Sequence, residues 1–327
     1  MNKFYIKVDD IKWVQNEKFG IIANSIRDKC EVQIISDSFK WRRYLGDSFY
    51  LPCLMASWRQ VLVKDQWKKL KLNGFIASVS SHYNIGGGLN PISTIGKNDD
   101  LEKSFASAIQ ILKKFGGVLV NSKRLEELLK PHLSNITYIP NGVDHTFFTP
   151  KENKNYNPKK IKIGWVGKVK GAKNYELVEA LKIYFQEQDI DFQEIAVSKG
   201  SQNILGREEM KNFYQNLDFY LCTSWHEGTP NPCLEAASCG TPLITTQVGN
   251  MPELVKNKVN SYFIDPTLES VKKVIQEIKM LNEAEYLMLS KLIREEISKH
   301  WTWDSRAKEF EKLFINFLKE RETNGSK

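Results

Sequence analysis

The chain has 327 residues, 41% hydrophobic and 26% charged, which is ordinary for a globular protein and long enough that two domains are expected. Its formal charge of +8 is uneven: residues 1–150 hold 21 basic and 14 acidic residues, the remainder 26 and 25. No apolar run reaches the length of a membrane span and the N-terminus lacks a secretory pattern; five scattered cysteines with no C-x-x-C pair argue against a zinc site or disulfide framework and suit reduced thiols in the cytoplasm.

Residues 4–8 and 31–36 read as strands with a helix between them at 18–29. GFIASVSS (74–81) and GGVLVNS (116–122) are further short β-rich runs, and helical patterns cover 99–114 and 122–130 up to Pro131. The segment 150–160, rich in Asn and Lys and holding two prolines, reads as an interdomain linker. A second alternating series follows: strands at 161–167, 192–198, 218–224 and 241–246, with helices at 173–187, 207–216 and 232–239. Helices at 267–281, 284–299 and 303–320 close the chain. Strands alternating with helices imply parallel sheets with crossover connections.

The stretch 224–242, SWHEGTPNPCLEAASCGTP, carries the most chemistry. Asn231 is placed to cap a helix and Pro232 to be its first residue. The helix start at 232–234 would offer unpaired N–H groups and a positive dipole end to a phosphate. Such a site beyond the C-terminal edge of a parallel sheet is where open α/β sheets bind ligands. A carboxylate beside a phosphate would repel it, so Glu227 and Glu235 are better suited to hydroxyls, on a ribose and on a second sugar. A capped helix with two surface glutamates is the plain alternative. GWVGKVKGAKN (164–174) places Lys168, Lys170 and Lys173 at a strand-to-helix turn, which suits a diphosphate, although loop lysines are commonly just solvated. The pattern of a P-loop is absent.

Together these residues resemble the retaining glycosyltransferases of family 4. The family's Glu-x7-Glu signature is met by Glu227 and Glu235, flanked by DFYLCTSWHEG and ASCGTPLITT. VGNMPELV (248–255), YIPNGVD (138–144), GKVKGAKN and WTWDSRAKEF match other segments of the family. Lys168 stands where the family usually has Arg, and Asn174 where it has Gly. The resemblance implies that Glu227 contacts the transferred sugar, that Glu235 contacts the ribose, and that Lys168 and Lys173 neutralise the diphosphate. Gly228, Thr229, Asn231, Cys233 and Leu234 would complete the donor site, largely through backbone N–H groups. It also implies a catalytic set of Glu227, Lys173 and His82, the last in SHYNIGGG (81–88), where Gly86, Gly87 and Gly88 would let a ligand approach closely. A turn-flanking surface histidine and a flexible loop tip are the plain alternatives. The family's Gly-rich loop after the first strand is not matched: that region has only Gly20.

Lys40, Arg42, Arg43, Arg59, Lys64, Lys68, Lys69 and Lys71 are interleaved with Trp58 and Trp67. The mixture suits a peripheral contact with an anionic membrane; a solvated helix face with buried tryptophans is the alternative, and nucleic acid is not the expected partner.

The resemblance thus implies an α/β chain of the GT-B fold, two Rossmann-like domains whose parallel sheets face a central cleft. Residues 1–150 would bind the acceptor and 151–300 the nucleotide sugar, with 301–327 a helix returning to the first domain. The expected activity is retaining transfer from a UDP or GDP sugar to a hydroxyl of a glycan, polysaccharide or glycolipid, without metal or cofactor, in the cytoplasm. A sugar-nucleotide epimerase of the same architecture and a non-catalytic sugar-nucleotide-binding protein are the rival expectations.

Overall fold

The computed structural model describes residues 3–7, 20, 22–24, 27–28, 31–35, 53–55, 72–80, 99–169, 171–198 and 205–325. The chain divides into two compact units: Met1–Gly88, Ile95–Asn141 and Trp303–Lys327 form one, Gly142–Thr302 with Leu89–Thr94 the other.

In the first unit the strands are β1 (Lys3–Lys7), β2 (Glu31–Ile35), β3 (Cys53–Met55), β4 (Phe75–Val79), β5 (Gly117–Val120) and β6 (Ile136–Tyr138). They form one parallel sheet in the order β2-β1-β3-β4-β5-β6. Alternation along the strands separates two apolar faces. Phe75, Ala77 and Val79 of β4 with Val118 and Val120 of β5 pack against helices α1 (Asp99–Leu112) and α2 (Lys123–Leu129). Ser122 caps α2, its hydroxyl accepting from Leu125 N–H. Ile6, Leu54, Ile76 and Leu119 form the other face, and Phe310, Phe314 and Phe317 of the final helix pack on it at helical spacing. The short β3 has no alternating pattern to announce it, and only its place between β1 and β4 makes it a strand.

The second unit holds β7 (Lys162–Lys168), α3 (Tyr175–Glu187), β8 (Asp191–Val197), α4 (Arg207–Asn216), β9 (Phe219–Cys222), α5 (Asn231–Ser238), β10 (Leu243–Thr246), α6 (Met251–Leu254), β11 (Tyr262–Ile264), α7 (Leu268–Lys279) and α8 (Glu283–His300); α9 (Trp303–Gly325) belongs to the first unit. Its sheet is parallel, in the order β11-β10-β9-β7-β8. Ile163, Trp165, Phe219, Leu221 and Ile244 face α3 and α7. Tyr220, Cys222 and Leu243 face α5 and α8.

Among the described residues the chain passes between units at 141/142 and 302/303, and the polar segment 150–160 lies within the second unit. Tyr156 explains the difference from the composition-based boundary. It is buried, it stacks on Tyr286 at 4.3 Å, and its hydroxyl donates to Ile278 O at 2.6 Å. One aromatic anchor fixes a stretch whose composition is that of a linker. Among the described residues no helix is long and apolar enough to cross a membrane.

Candidate functional site

The strand order places a switch point in the second sheet. From β7 the chain moves to β8 on one side, and from β9 to β10 on the other. Ligands bind α/β sheets at the carboxyl ends of strands flanking such a point. The loops after β7 and β9 carry Lys173 and Glu227, 54 residues apart in sequence, and there they meet: Lys173 Nζ donates to Glu227 Oε1 at 2.5 Å. Ser224 Oγ donates to the same oxygen at 2.8 Å. Burial alone would lower the Lys173 pKa; the facing Glu227 carboxylate outweighs it and holds the ammonium above its usual range.

The backbone around the pair is fixed. Trp225 N–H donates to Ala172 O at 2.9 Å, and Thr223 Oγ1 donates to Lys173 O at 2.8 Å. Thr246 Oγ1, at the end of β10, donates to Ser224 O at 2.7 Å. Asn174, next to Lys173, has φ 51 and ψ 51, in the left-handed region. That conformation suits Gly best and Asn better than most side chains, which accounts for Asn in this position. Its Nδ2 donates to Pro266 O at 3.3 Å.

Helix α5 starts one residue earlier than its sequence suggests. Pro230 occupies the N-cap position, Asn231 is the first helical residue, and no side chain caps the end. Two of the three anion-facing N–H groups expected at 232–234 are also lost. Pro232 has none, and Cys233 N–H closes a turn on Pro230 O at 2.8 Å. The side chains of Cys233 and Leu234 are buried in the core, so neither can present more than backbone to a ligand. Cys233 lies beside Cys222: their hydrogen bond, against the effect of burial, lowers Cys222 to about 7, while burial and the same contact raise Cys233. Glu235, one turn into α5, accepts from the Tyr214 hydroxyl at 2.7 Å. Tyr214 is fully buried; burial and the Glu235 carboxylate both raise its pKa. Gly228 is buried and Thr229 half-buried in the loop before the helix. Lys168 lies exposed at the end of β7 and is not the lysine that meets Glu227.

Sequence reasoning missed Ser224, Tyr214, Thr223 and Thr246, which hold the two glutamates and the lysine loop. Only proximity in the fold identifies them. His82, Lys170, Gly86, Gly87, Gly88 and the basic residues at 40–71 with Trp58 and Trp67 lie outside the described residues. Among the described residues no group of three acidic, His or Cys side chains could hold a metal ion.

The chain shares the GT-B fold of solved glycosyltransferases. Sucrose-phosphate synthase from Thermosynechococcus elongatus superposes with a TM-score of 0.73 at 15% identity, over 98% of this chain and 100% of that one. Anabaena HepE in complex with UDP-glucose gives 0.69 at 11%, over 97% and 100%. Residues 198–299, which include both glutamates, match the family described as glycosyl transferases group 1. The GPI3 subunit of phosphatidylinositol N-acetylglucosaminyltransferase from Saccharomyces cerevisiae is 25% identical over 211 residues, 55% of this chain and 45% of that protein. The chain thus spans less than half the length of this curated relative.

Proposed function

We propose that the protein is a retaining glycosyltransferase that moves a sugar from a nucleoside diphosphate sugar to an acceptor hydroxyl. The observation that carries this reading is the Lys173–Glu227 pair at the switch point, next to the start of α5. The pair supplies the two kinds of group a sugar nucleotide needs. A cation and a helix N-terminus suit the diphosphate, where negative charge grows as the glycosidic bond breaks. A carboxylate suits the hydroxyls of the transferred sugar, and Glu235, steadied by Tyr214, suits those of the ribose. Until the donor binds, Glu227 neutralises Lys173. The incoming diphosphate competes for the lysine and leaves the carboxylate available to the sugar.

In this reading Lys173 and the helix end take the place of a divalent cation. Attack by the acceptor on the face the leaving group departs from gives retention. The yeast relative is named for phosphatidylinositol and N-acetylglucosamine, and the basic excess of residues 1–150 suits an anionic acceptor or membrane surface of that kind. The test is incubation with UDP- and GDP-sugars and hydroxyl acceptors in EDTA. Acceptor-dependent release of nucleoside diphosphate, with the product's anomeric configuration equal to the donor's by NMR, is the expected result. An isomeric sugar nucleotide formed without acceptor would make the protein an epimerase, and binding without turnover would make it a non-catalytic binder.

A further inference from the structure

Cys222 ends β9 and Cys233 is the third residue of α5, so two cysteines bracket the loop that carries Glu227. They belong to one buried cluster, and their side chains are hydrogen-bonded to each other. Cys222 Sγ also lies 3.7 Å from Ser224 Oγ, whose proton goes to Glu227 Oε1 at 2.8 Å. A continuous series of contacts therefore runs from Cys233 through Cys222 and Ser224 to the carboxylate that meets Lys173.

A buried cysteine commonly serves as a small apolar filler. Cys239, at the other end of α5 in the same cluster, fits that role: burial pushes its thiol up to about 12. Cys222 differs. The hydrogen bond from Cys233 brings its thiol down to about 7 against the effect of burial, and the Lys173 ammonium adds to the lowering. The thiolate, which is the attacking form, is therefore accessible near neutral pH. Cys222 keeps an exposure of 5% and Cys233 has none, so a small oxidant meets Cys222 first. An activated thiol with a second thiol at its side is the arrangement that turns oxidation into a reversible disulfide.

We propose that Cys222 and Cys233 form a peroxide-reactive dithiol whose closure to a disulfide loosens Glu227 and suppresses use of the donor. In the first step the Cys222 thiolate attacks one oxygen of a hydroperoxide. An S–O bond forms, the O–O bond breaks, and hydroxide leaves, so that Cys222 becomes a sulfenic acid. In the second step the Cys233 sulfur attacks the Cys222 sulfur. The S–S bond forms, the S–O bond breaks, and the Cys233 proton departs with the hydroxyl as water. In all, hydrogen peroxide takes two electrons and two protons from the thiols and becomes two waters. Drawing Cys222 onto Cys233 breaks its contact with Ser224, the residue that holds Glu227. The effect on donor use rests on the donor-site reading above; the dithiol chemistry does not.

The experiment treats the reduced protein with hydrogen peroxide, quenches in acid, alkylates the remaining thiols after denaturation, and maps them by mass spectrometry. Chymotryptic cleavage after Trp225 and Leu234 separates Cys222, Cys233 and Cys239. A 222–233 disulfide is then expected as two fragments that stay joined until dithiothreitol is added. Donor turnover of the same samples should fall about tenfold to a hundredfold, the worth of one hydrogen bond to a charged group, and should return with dithiothreitol. Each variant is compared with its own reduced form: Cys239→Ala should respond like wild type, and Cys222→Ala should not respond. Cys233→Ala should stop at a sulfenic acid on Cys222, trapped by dimedone. The mapping of the wild-type protein decides the chemistry even where a variant does not fold. Cys222 and Cys233 that both remain fully alkylatable after peroxide, or a disulfide to Cys239 instead, would overturn the proposal. A 222–233 disulfide that leaves turnover unchanged would overturn the link to Glu227. A reduced protein that forms the disulfide but consumes no nucleotide sugar would sink the donor-site reading and leave the dithiol standing.

Discussion

Glu227 and Glu235 are the same residue type in one motif, yet the fold gives them different surroundings. Glu227 sits on a loop and is held by a cation and a hydroxyl, Lys173 and Ser224. Glu235 sits on a helix and is held by a neutral, fully buried phenol, Tyr214. A carboxylate paired with an ammonium can change partner when a second anion arrives. One braced by a phenol locked in the core keeps its position. The difference teaches that, in the proposed donor site, the loop glutamate can exchange its partner while the helix glutamate is held in place.

The largest effect should come from breaking the loop side. Glu227→Gln removes the charge facing Lys173 and a contact expected to strengthen as the transferred sugar gains positive charge. It should lower kcat/KM by about 10- to 150-fold, from the roughly 1.5–3 kcal/mol of a hydrogen bond to a charged group, with most of the loss in kcat. Steady-state kinetics with the donor varied checks this; near-wild-type values would remove Glu227 from the donor site. Glu235→Gln should cost about tenfold, seen in KM, because a ribose contact is equally strong in ground and transition states. If kcat falls instead, the sugar and the ribose must be exchanged between the two carboxylates.

A smaller effect is expected of Tyr214→Phe, which removes only the brace. One neutral-to-charged hydrogen bond lost at a buried site should raise the donor KM several-fold and lower stability by about 1–3 kcal/mol, read by urea titration. A stability loss with unchanged KM would mean that Glu235 does not depend on its phenol. The smallest concerns pH. Burial disfavours the Lys173 ammonium, but the facing Glu227 carboxylate outweighs it and holds its pKa above the ordinary lysine value. Its contribution is therefore fully present below that value and is lost only as pH rises through the higher folded one. The melting-temperature difference between wild type and Lys173→Met should be flat from pH 7 to 9. A difference that shrinks within that window would show that the pair does not hold the lysine charged.

The motif residues at 224–242 were legible because a helix N-terminus, two carboxylates and a strand end leave a local pattern. Expectation and structure part in two places, one local and one not. The start of α5 moved by one residue because Pro230, not Asn231, takes the cap position. The 150–160 stretch is not where the chain changes units because Tyr156 is stacked on Tyr286, 130 positions along the chain.

By itself the sequence determined most of the alternation of strands and helices and the spacing of Glu227 and Glu235. These depend on neighbours a few residues away, through the periods of strand and helix. Tertiary structure alone decided which lysine meets Glu227. Lys168 and Lys173 look equivalent in the chain, but β7 ends with Lys168 exposed, and the turn through Asn174 brings Lys173 across the switch point. It also decided what braces Glu235, because Tyr214 reaches it from another element, and no spacing along a chain records which side chains a parallel sheet's strand order will bring together.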